Sequence, residues 1–358
     1  MKTSLPNPHY QREQFNTLAQ TGTGQMTKPK LKPQIIVKGN GTKINNNKSL
    51  LSRAKRKMIT QKMILSLIDV SKSKEDPKRA KAYWNTYYCQ NKIYSSGGKL
   101  YGKYCKNRFC TLCCGIRKAK IINKYLPVIK SWKEPYFVTL TVKSVPASKL
   151  KYWIVEGMIR GFKRLVERNK KRNQRGKGKK LIGIKSLECC FNPMAKTYNP
   201  HFHIIAPDKE TAELLIREWL KLWTKKFALR ICQDMRKVED KEGALMEIIK
   251  YGSKIFTEPD VNKKSKQKGN PLIYSAALNN IFLSMKDHRI FDRFGFNLPK
   301  SRKIDEKVIN ILSVYQELNY NPKVFDWENT ESEQILSGFE PSSELKSLLD
   351  HNIDTETE

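Results

Sequence analysis

The stretch Asn199-Pro200-His201-Phe202-His203-Ile204-Ile205-Ala206 constrains this chain more than any other. Polar and apolar residues alternate and then give way to an apolar tail, the pattern of a β-strand with one face toward a core. Successive side chains on a strand point to opposite faces, so His201 and His203 share one face while Phe202 and Ile204 share the other. Two imidazoles on one face can share a metal ion. Taken alone, the pattern fits equally a strand whose histidines merely border a core.

Charge narrows the class of partner. The chain has 358 residues and a formal net charge of +35. So large an excess of Lys and Arg works against compaction unless a polyanion is bound, and nucleic acid is the natural candidate. No apolar run is long enough to span a bilayer, and no N-terminal apolar segment suits secretion, so a cytoplasmic protein without a membrane partner is expected. Residues 1–48 are polar and rich in Lys, Asn, Gln and Thr, which predicts a disordered basic arm.

Five of the eight cysteines, Cys89, Cys105, Cys110, Cys113 and Cys114, fall in one short window. In a chain that is not secreted, such clustering points to metal rather than disulfides. Cys89, Cys105, Cys110 and Cys113 have the spacing C-x15-C-x4-C-x2-C, suited to a four-thiolate structural Zn²⁺ site. Cys114 competes with Cys113 for the last position, and buried thiols without metal are the plainer alternative. Basic neighbours, Arg108, Arg117 and Lys118 among them, would favour thiolate and contact phosphate.

The remaining pattern predicts an α+β domain. Residues 49–88 are helical, and a second helix follows the cysteines to about residue 129. Tyr136–Val142 is a strand dense in β-branched and aromatic residues. Ser148 is placed to cap a helix. Residues 168–180, which include Arg172, Arg175, Lys177, Lys179 and Lys180, form no core and predict a mobile basic loop that contacts DNA. A strand over 181–191 leads to the histidine strand, Asp208 caps a long helix, residues 231–238 form a strand, and 243–256 return to helix. The order β-α-β-β-α-β-α predicts a ferredoxin-like antiparallel sheet with helices on one face. The expected division is a disordered arm (1–48), a helical zinc-binding region (49–130), a catalytic domain (131–258), its Lys-rich loop and extension (259–325), and an acidic flexible tail (326–358).

Two further features bear on chemistry. If 181–191 and the histidine strand form a hairpin, a register with Glu188 opposite His203 puts its carboxylate on the histidine face. Such a His/carboxylate set suits Mn²⁺ better than Mg²⁺, and a structural acid paired with a lysine is the alternative. On the 243–256 helix, Glu247, Tyr251 and Lys254 are spaced i, i+4 and i+7 and share a face. Tyrosine, with a pKa near 10, attacks phosphorus only where a metal polarises the phosphate and a cation such as Lys254 steadies the phenolate. Glu247 is placed to take a proton from water. Solvent-facing Glu–Lys pairs and packed tyrosines account for the same residues without chemistry.

Taken together, these segments resemble plasmid rolling-circle replication initiators of the HUH endonuclease superfamily, of the bacterial small-plasmid type. Phe137-Val138-Thr139-Leu140-Thr141 resembles the first strand motif, Asn199-Pro200-His201-Phe202-His203 the metal motif with residues 183–188 as its lead-in, and Glu247 with Lys250-Tyr251-Gly252-Ser253-Lys254 the nucleophile helix. Residues 105–113 resemble the cysteine motif that precedes the domain. The resemblance spans residues 89–254 in the family's order. It departs at Asn199, where relatives often carry another histidine, and at Thr111, where proline is common.

The resemblance implies a metal-dependent nick in one strand of plasmid origin DNA, single-stranded or hairpin at the nick. Tyr251 would form a 5′-phosphotyrosine and leave a 3′-OH primer, with Mg²⁺ or Mn²⁺ on His201, His203 and Glu188. Glu247 would activate water to end a round. A host helicase and polymerase would be partners, since the chain has no G-x4-G-K-[ST] loop of its own; the oligomeric state is open, a dimer included. A transposase of the same superfamily, or a non-enzymatic zinc-containing DNA-binding protein, remains the alternative.

Overall fold

The computed structural model describes residues 33–253, 272–298 and 309–358. The chain opens with β1 (Ile35–Lys38) and β2 (Thr42–Lys43), then α1 (Asn47–Ser73), α2 (Pro77–Tyr87), β3 (Lys92–Ser96), β4 (Lys99–Gly102) and α3 (Thr111–Ser131). Short polar side chains start the helices. Asn46 accepts from the Ser49 amide at the head of α1, and Asp76 accepts from the Arg79 amide at the head of α2, where Pro77 supplies a preset φ.

Next come β5 (Tyr136–Thr141), α4 (Ala147–Tyr152), a π-helical stretch (Trp153–Arg160), α5 (Gly161–Gln174), β6 (Gly183–Asn192), β7 (Thr197–Ala206), α6 (Lys209–Phe227), β8 (Asp234–Lys237) and α7 (Lys241–Ser253). This is the β-α-β-β-α-β-α order expected from the sequence. Asp208 caps α6 as expected, accepting from the Thr211 amide. Ser148 does not cap α4; it lies inside the first turn, behind Pro146. The expected loop over 168–180 is also shorter, because α5 continues to Gln174: Arg168 and Arg172 both reach the buried carboxylate of Glu218 on α6, at 3.3 and 3.1 Å.

The last part holds β9 (Ile273–Tyr274), α8 (Ser275–Ser284), β10 (Phe291–Phe294), β11 (Ile309–Leu312), β12 (Gln316–Asn321), β13 (Asp326–Asn329), α9 (Ser343–His351) and β14 (Ile353–Asp354). The central sheet has the order β10-β6-β7-β5-β8 and every pairing in it is antiparallel. Strand β10 was not anticipated. It adds an edge by pairing Phe291–Phe294 with Ser186–Gly183, and Gly295 beyond it has φ +78°, where an added Cβ would lie 1.9 Å from the Leu181 carbonyl oxygen.

One face of this sheet presents Val138, Leu140, Leu187, Phe202 and Ile204 to α5 and α6, which contribute Phe162, Leu165, Leu215 and Trp219. The π-helical turn brings Gly157 against Trp223; a Cβ on Gly157 would sit 2.5 Å from that indole. Helices on one face only were expected, and here the structure differs. The histidine face also carries helices, because Phe137, Ile184 and Ile205 on that side are apolar and need cover. They pack with Tyr125 and Ile129 of α3 and with Leu245, Ile248 and Ile249 of α7.

A second sheet, β13-β12-β3-β4-β2, joins both ends of the chain. Ile93 and Leu100 share a core with Leu318, Tyr320, Trp327 and Ala54 of α1. Two expected boundaries therefore fall. Of the arm assigned to 1–48, residues 1–32 lie outside the described part, but β1 pairs with β11, β2 pairs with β4, and α1 begins at Asn47. The tail from 326 is ordered by burial. Trp327 is fully buried and its indole N–H donates to the Gln90 carbonyl at 2.7 Å, while the Asp326 carboxylate accepts from the Ser337 hydroxyl at 2.6 Å and its amide at 3.0 Å. Within the extension assigned to 259–325, residues 259–271 and 299–308 lie outside the described part, β10 serves the central sheet and β12 serves the second one.

Trp327→Ala should lower unfolding stability by about 3–5 kcal/mol, the usual cost of emptying a large aromatic site. Denaturant titration checks this, and a change under about 0.5 kcal/mol, typical of surface positions, would mean the segment is the flexible tail after all. Lys185 gives a pH signature. Its ammonium lies over the rings of Phe162 and Phe202, and burial pulls it from 10.5 down to about 8, against a smaller upward pull from Asp292. The folded chain thus releases this proton more readily than the unfolded one, so its burial costs stability below about pH 8 and the cost fades as pH rises toward 10.5. Lys185→Met should be more stable than the parent at pH 7 by about 1–3 kcal/mol, with the difference shrinking above pH 8; a constant difference across that range would refute the assignment.

Candidate functional site

Three strands build the centre of the histidine face. On β7, His201 and His203 alternate with Phe202 and Ile204, whose burial on the far side locks the parity. The β6–β7 ladder sets Glu188 opposite His201 and Ser186 opposite His203. The expected register, with Glu188 opposite His203, is thus displaced by two residues. Parity survives such a shift, so the carboxylate still lies on the histidine face. The Glu188 Oε2 is 3.3 Å from the His201 Nε2 and 3.2 Å from the His203 Nε2. All three side chains are buried.

Each imidazole is held at its other nitrogen. The His201 Nδ1 lies 3.0 Å from the Asn199 carbonyl oxygen, which can only accept, so Nδ1 carries a proton and Nε2 is turned toward the carboxylate. The His203 Nδ1 lies 3.3 Å from the Thr139 hydroxyl on β5, the strand residue directly opposite it. Burial pulls the His203 pKa down and nearby His201 adds to this, while hydrogen bonding to Glu188 works against both. A neutral imidazole oriented through Nδ1 is the form that ligates metal. The Ser186 hydroxyl beside them is fully buried and makes no hydrogen bond among the described residues. Two imidazoles, a carboxylate and a spare buried hydroxyl fit a divalent cation with its water. Cys190, two residues beyond Glu188, also offers its sulfur: the Glu188, Cys190 and His201 ligand atoms lie within 4.8 Å of one another.

Helix α7 crosses this face. Its Glu247 pairs with Arg236 of β8 at 2.8 Å, and Arg236 in turn lies over the Phe137 ring at 4.8 Å. Glu247 is close enough to bear on the titration of His203. Tyr251 falls one turn later, in the last turn of α7. The side chains of residues 250–253 are outside the described part, and so is Lys254.

The four expected cysteines converge at the head of α3. Cys89, Cys105, Cys110 and Cys113 have sulfurs within 4.8 Å of one another. Cys89 to Cys113 is 3.8 Å and Cys105 to Cys113 is 3.6 Å, against about 3.8 Å for the edge of a tetrahedral Zn–S4 site built with 2.3 Å bonds. Cys110 caps α3 by accepting from the Cys113 amide, and hydrogen bonding with Cys105, Cys113 and Cys89 together with burial raises its thiol above the ordinary value. Hydrogen bonds from Cys110, Cys113 and Cys89 hold the Cys105 thiol well below its ordinary value. Cys114 points elsewhere and donates to the Arg108 carbonyl at 3.0 Å.

Several residues expected at DNA are engaged within the fold. Arg108 donates to the carbonyls of Met285 and His288, tying the cysteine module to the turn before β10. Arg117 donates to the Lys106 carbonyl at 3.0 Å, and Lys179 pairs with Asp208 and Glu210 at 3.0 and 2.7 Å. Arg172 is tied to Glu218 as described above, although its side chain remains 46% exposed. Arg175, Lys177 and Lys180 are exposed in the connection between α5 and β6. Lys118 stands in α3, the helix that runs from the cysteines onto the histidine face.

Sequence reasoning passed over Thr139, Arg236 and Cys190. The signal for Thr139 was present: Thr139 and Thr141 are the polar positions of an otherwise apolar strand, and both face histidines across the ladder. Arg236 carried no such mark.

Residues 99–325 match the family described as Replication protein. Curated relatives named "Protein rep" include one from Bacillus amyloliquefaciens, 30% identical over 257 residues, covering 59% of this chain and 73% of the relative. One from a Bacillus species is 28% identical over 207 residues, covering 49% of this chain and 65% of the relative, a little under two thirds of its length. One from Staphylococcus aureus is 31% identical over 176 residues, covering 44% and 72%. No solved structure matches the chain.

The sulfur geometry separates two adjacent thiols. Cys113→Ser should lose bound zinc and unfold more readily, whereas Cys114→Ser should retain a full equivalent, as read by metal analysis of the purified proteins. Equal zinc loss in both variants would overturn the four-cysteine assignment.

Proposed function

The chain belongs to the family of replication proteins, and from that premise we propose that it starts rolling-circle replication of a plasmid by nicking one strand of origin DNA. The observation that carries this reading is the buried Glu188 carboxylate set between two imidazoles, each anchored through Nδ1 with Nε2 toward it, on the sheet face that α7 crosses.

His201, His203 and Glu188 would hold Mn²⁺ or Mg²⁺. Such an ion, when bound, polarises a phosphodiester and offsets the charge that develops on it. Thr139 and the Asn199 carbonyl keep the imidazoles in the ligating tautomer and orientation. The Tyr251 phenol oxygen attacks phosphorus; the P–O3′ bond breaks, leaving a 3′-OH on one side and a phosphotyrosine at the 5′ end on the other. Lys254 steadies the phenolate. Glu247, paired with Arg236, takes a proton from the water that releases the enzyme at the end of a round.

The cysteine quartet would bind zinc and hold α3, with Arg117 and Lys118, against the catalytic sheet. Arg175, Lys177 and Lys180, exposed between α5 and β6, would contact DNA phosphates. Their phosphate contacts carry no sequence information and weaken steeply with salt. A host helicase and polymerase would extend the exposed 3′ end.

The test is covalent capture. Purified protein with Mn²⁺ and a single-stranded origin oligonucleotide should give an SDS-resistant adduct, and Tyr251→Phe should remove the adduct while leaving binding intact. An adduct that persists in that variant rejects the nucleophile. Glu247→Ala should still form the adduct but release it about 10²–10⁴-fold more slowly, the usual reach of a positioned general base; loss of both steps to the same degree would make Glu247 structural.

A further inference from the structure

The ladder between β6 and β7 holds more donor atoms than one metal site uses. Along the histidine face three successive rungs pair Cys190 with Asn199, Glu188 with His201, and Ser186 with His203. The middle rung is flanked on one side by an imidazole and on the other by a thiol. Glu188 and His201 therefore belong to two overlapping sets of three. One adds His203, whose Nε2 lies 3.2 Å from the shared carboxylate. The other adds Cys190, whose sulfur lies within 4.8 Å of both the Glu188 oxygen and a His201 nitrogen.

The two sets differ in chemistry and access. Two imidazoles and a carboxylate suit Mn²⁺, whereas a thiolate, an imidazole and a carboxylate select a softer ion, Zn²⁺ foremost. His203 is buried, but Cys190 is exposed near the hairpin turn that closes the ladder and forms no disulfide. The Asn199 side chain, opposite Cys190, is turned away to the Val142 carbonyl at 2.9 Å and the Ser144 hydroxyl at 3.3 Å. It does not compete for an ion on that rung.

Building on the metal site of the proposed function, we propose that Cys190, Glu188 and His201 form a second, zinc-selective site that excludes the catalytic ion. Zinc binding there releases the thiol proton to solvent and ties up two of the three ligands that the nicking ion requires. One consequence is a replication initiator held idle by free zinc and active when zinc is scarce.

The test reads metal binding rather than nicking. The full chain, with zinc already on its cysteine quartet, is titrated with Zn²⁺ against a competing chelator, and with Mn²⁺ by electron paramagnetic resonance. The parent should take one further zinc, and that zinc should displace Mn²⁺. Cys190→Ser should weaken the further zinc by about tenfold or more, the scale of losing a site contact, and leave Mn²⁺ affinity in place. His203→Ala should do the reverse, weakening Mn²⁺ and sparing the further zinc. Cys232→Ser, at another exposed thiol, should change neither. An unchanged zinc affinity in Cys190→Ser, with Mn²⁺ still bound, overturns the second site alone. Failure of the parent to bind Mn²⁺ at all overturns the catalytic metal reading, and the second site with it.

Discussion

The antiparallel pairing of β6 with β7 is the constraint on which the rest depends. It is a ladder in which Leu187 and Phe202 face one core while Glu188, His201 and His203 face the other side. Apolar burial below the sheet holds the polar atoms in register above it, because a slip of one residue would invert every side chain. A carboxylate buried between two imidazoles is costly without a compensating charge; the Nδ1 contacts to Asn199 and Thr139 hold the rings so that both Nε2 atoms converge on the Glu188 Oε2, at 3.3 and 3.2 Å. The site is held by packing far more than by its own hydrogen bonds.

The cysteine module is held by a different device. Its four thiols come from the end of α2, the stretch after β4 and the head of α3, none of which buries much apolar surface alone. Support comes from residues distant in the chain: Trp327 fills the second sheet's core, Arg108 reaches the turn near His288, and Phe282 of α8 stacks on Phe109 at 3.5 Å between ring centres. The module and the central sheet thus share α3 and the α8–β10 connection. A zinc ion on those thiols would fix the N-terminus of the helix that covers the histidine face.

The positive charge is divided as well. Much of what reads as one basic run is consumed internally, since Arg168 and Arg172 offset Glu218, and Lys179 bridges Asp208 and Glu210. What remains exposed in that run is Arg175, Lys177 and Lys180, in the connection to β6. A linear reading of charge does not reveal which of these cations are committed to partners inside the fold.

The sequence by itself determined the strand with paired histidines, the element order of the central domain, the shared parity of Glu188 and the histidines, and the four-cysteine spacing. All of these follow from local periodicity, which is written in neighbouring residues. Tertiary structure decided the rest. The rung opposite Glu188 depends on where the hairpin turns; the choice of Cys113 over Cys114 depends on how the first turn of α3 rotates; and the pairing of β1 with β11 or β10 with β6 joins segments far apart in the chain. The acidic C-terminus shows the reason most plainly. Its composition resembles a solvated tail, yet Asp326 is satisfied by Ser337 eleven residues on and Trp327 is buried in a sheet core where it bonds Gln90, and no local pattern encodes a partner 237 residues away.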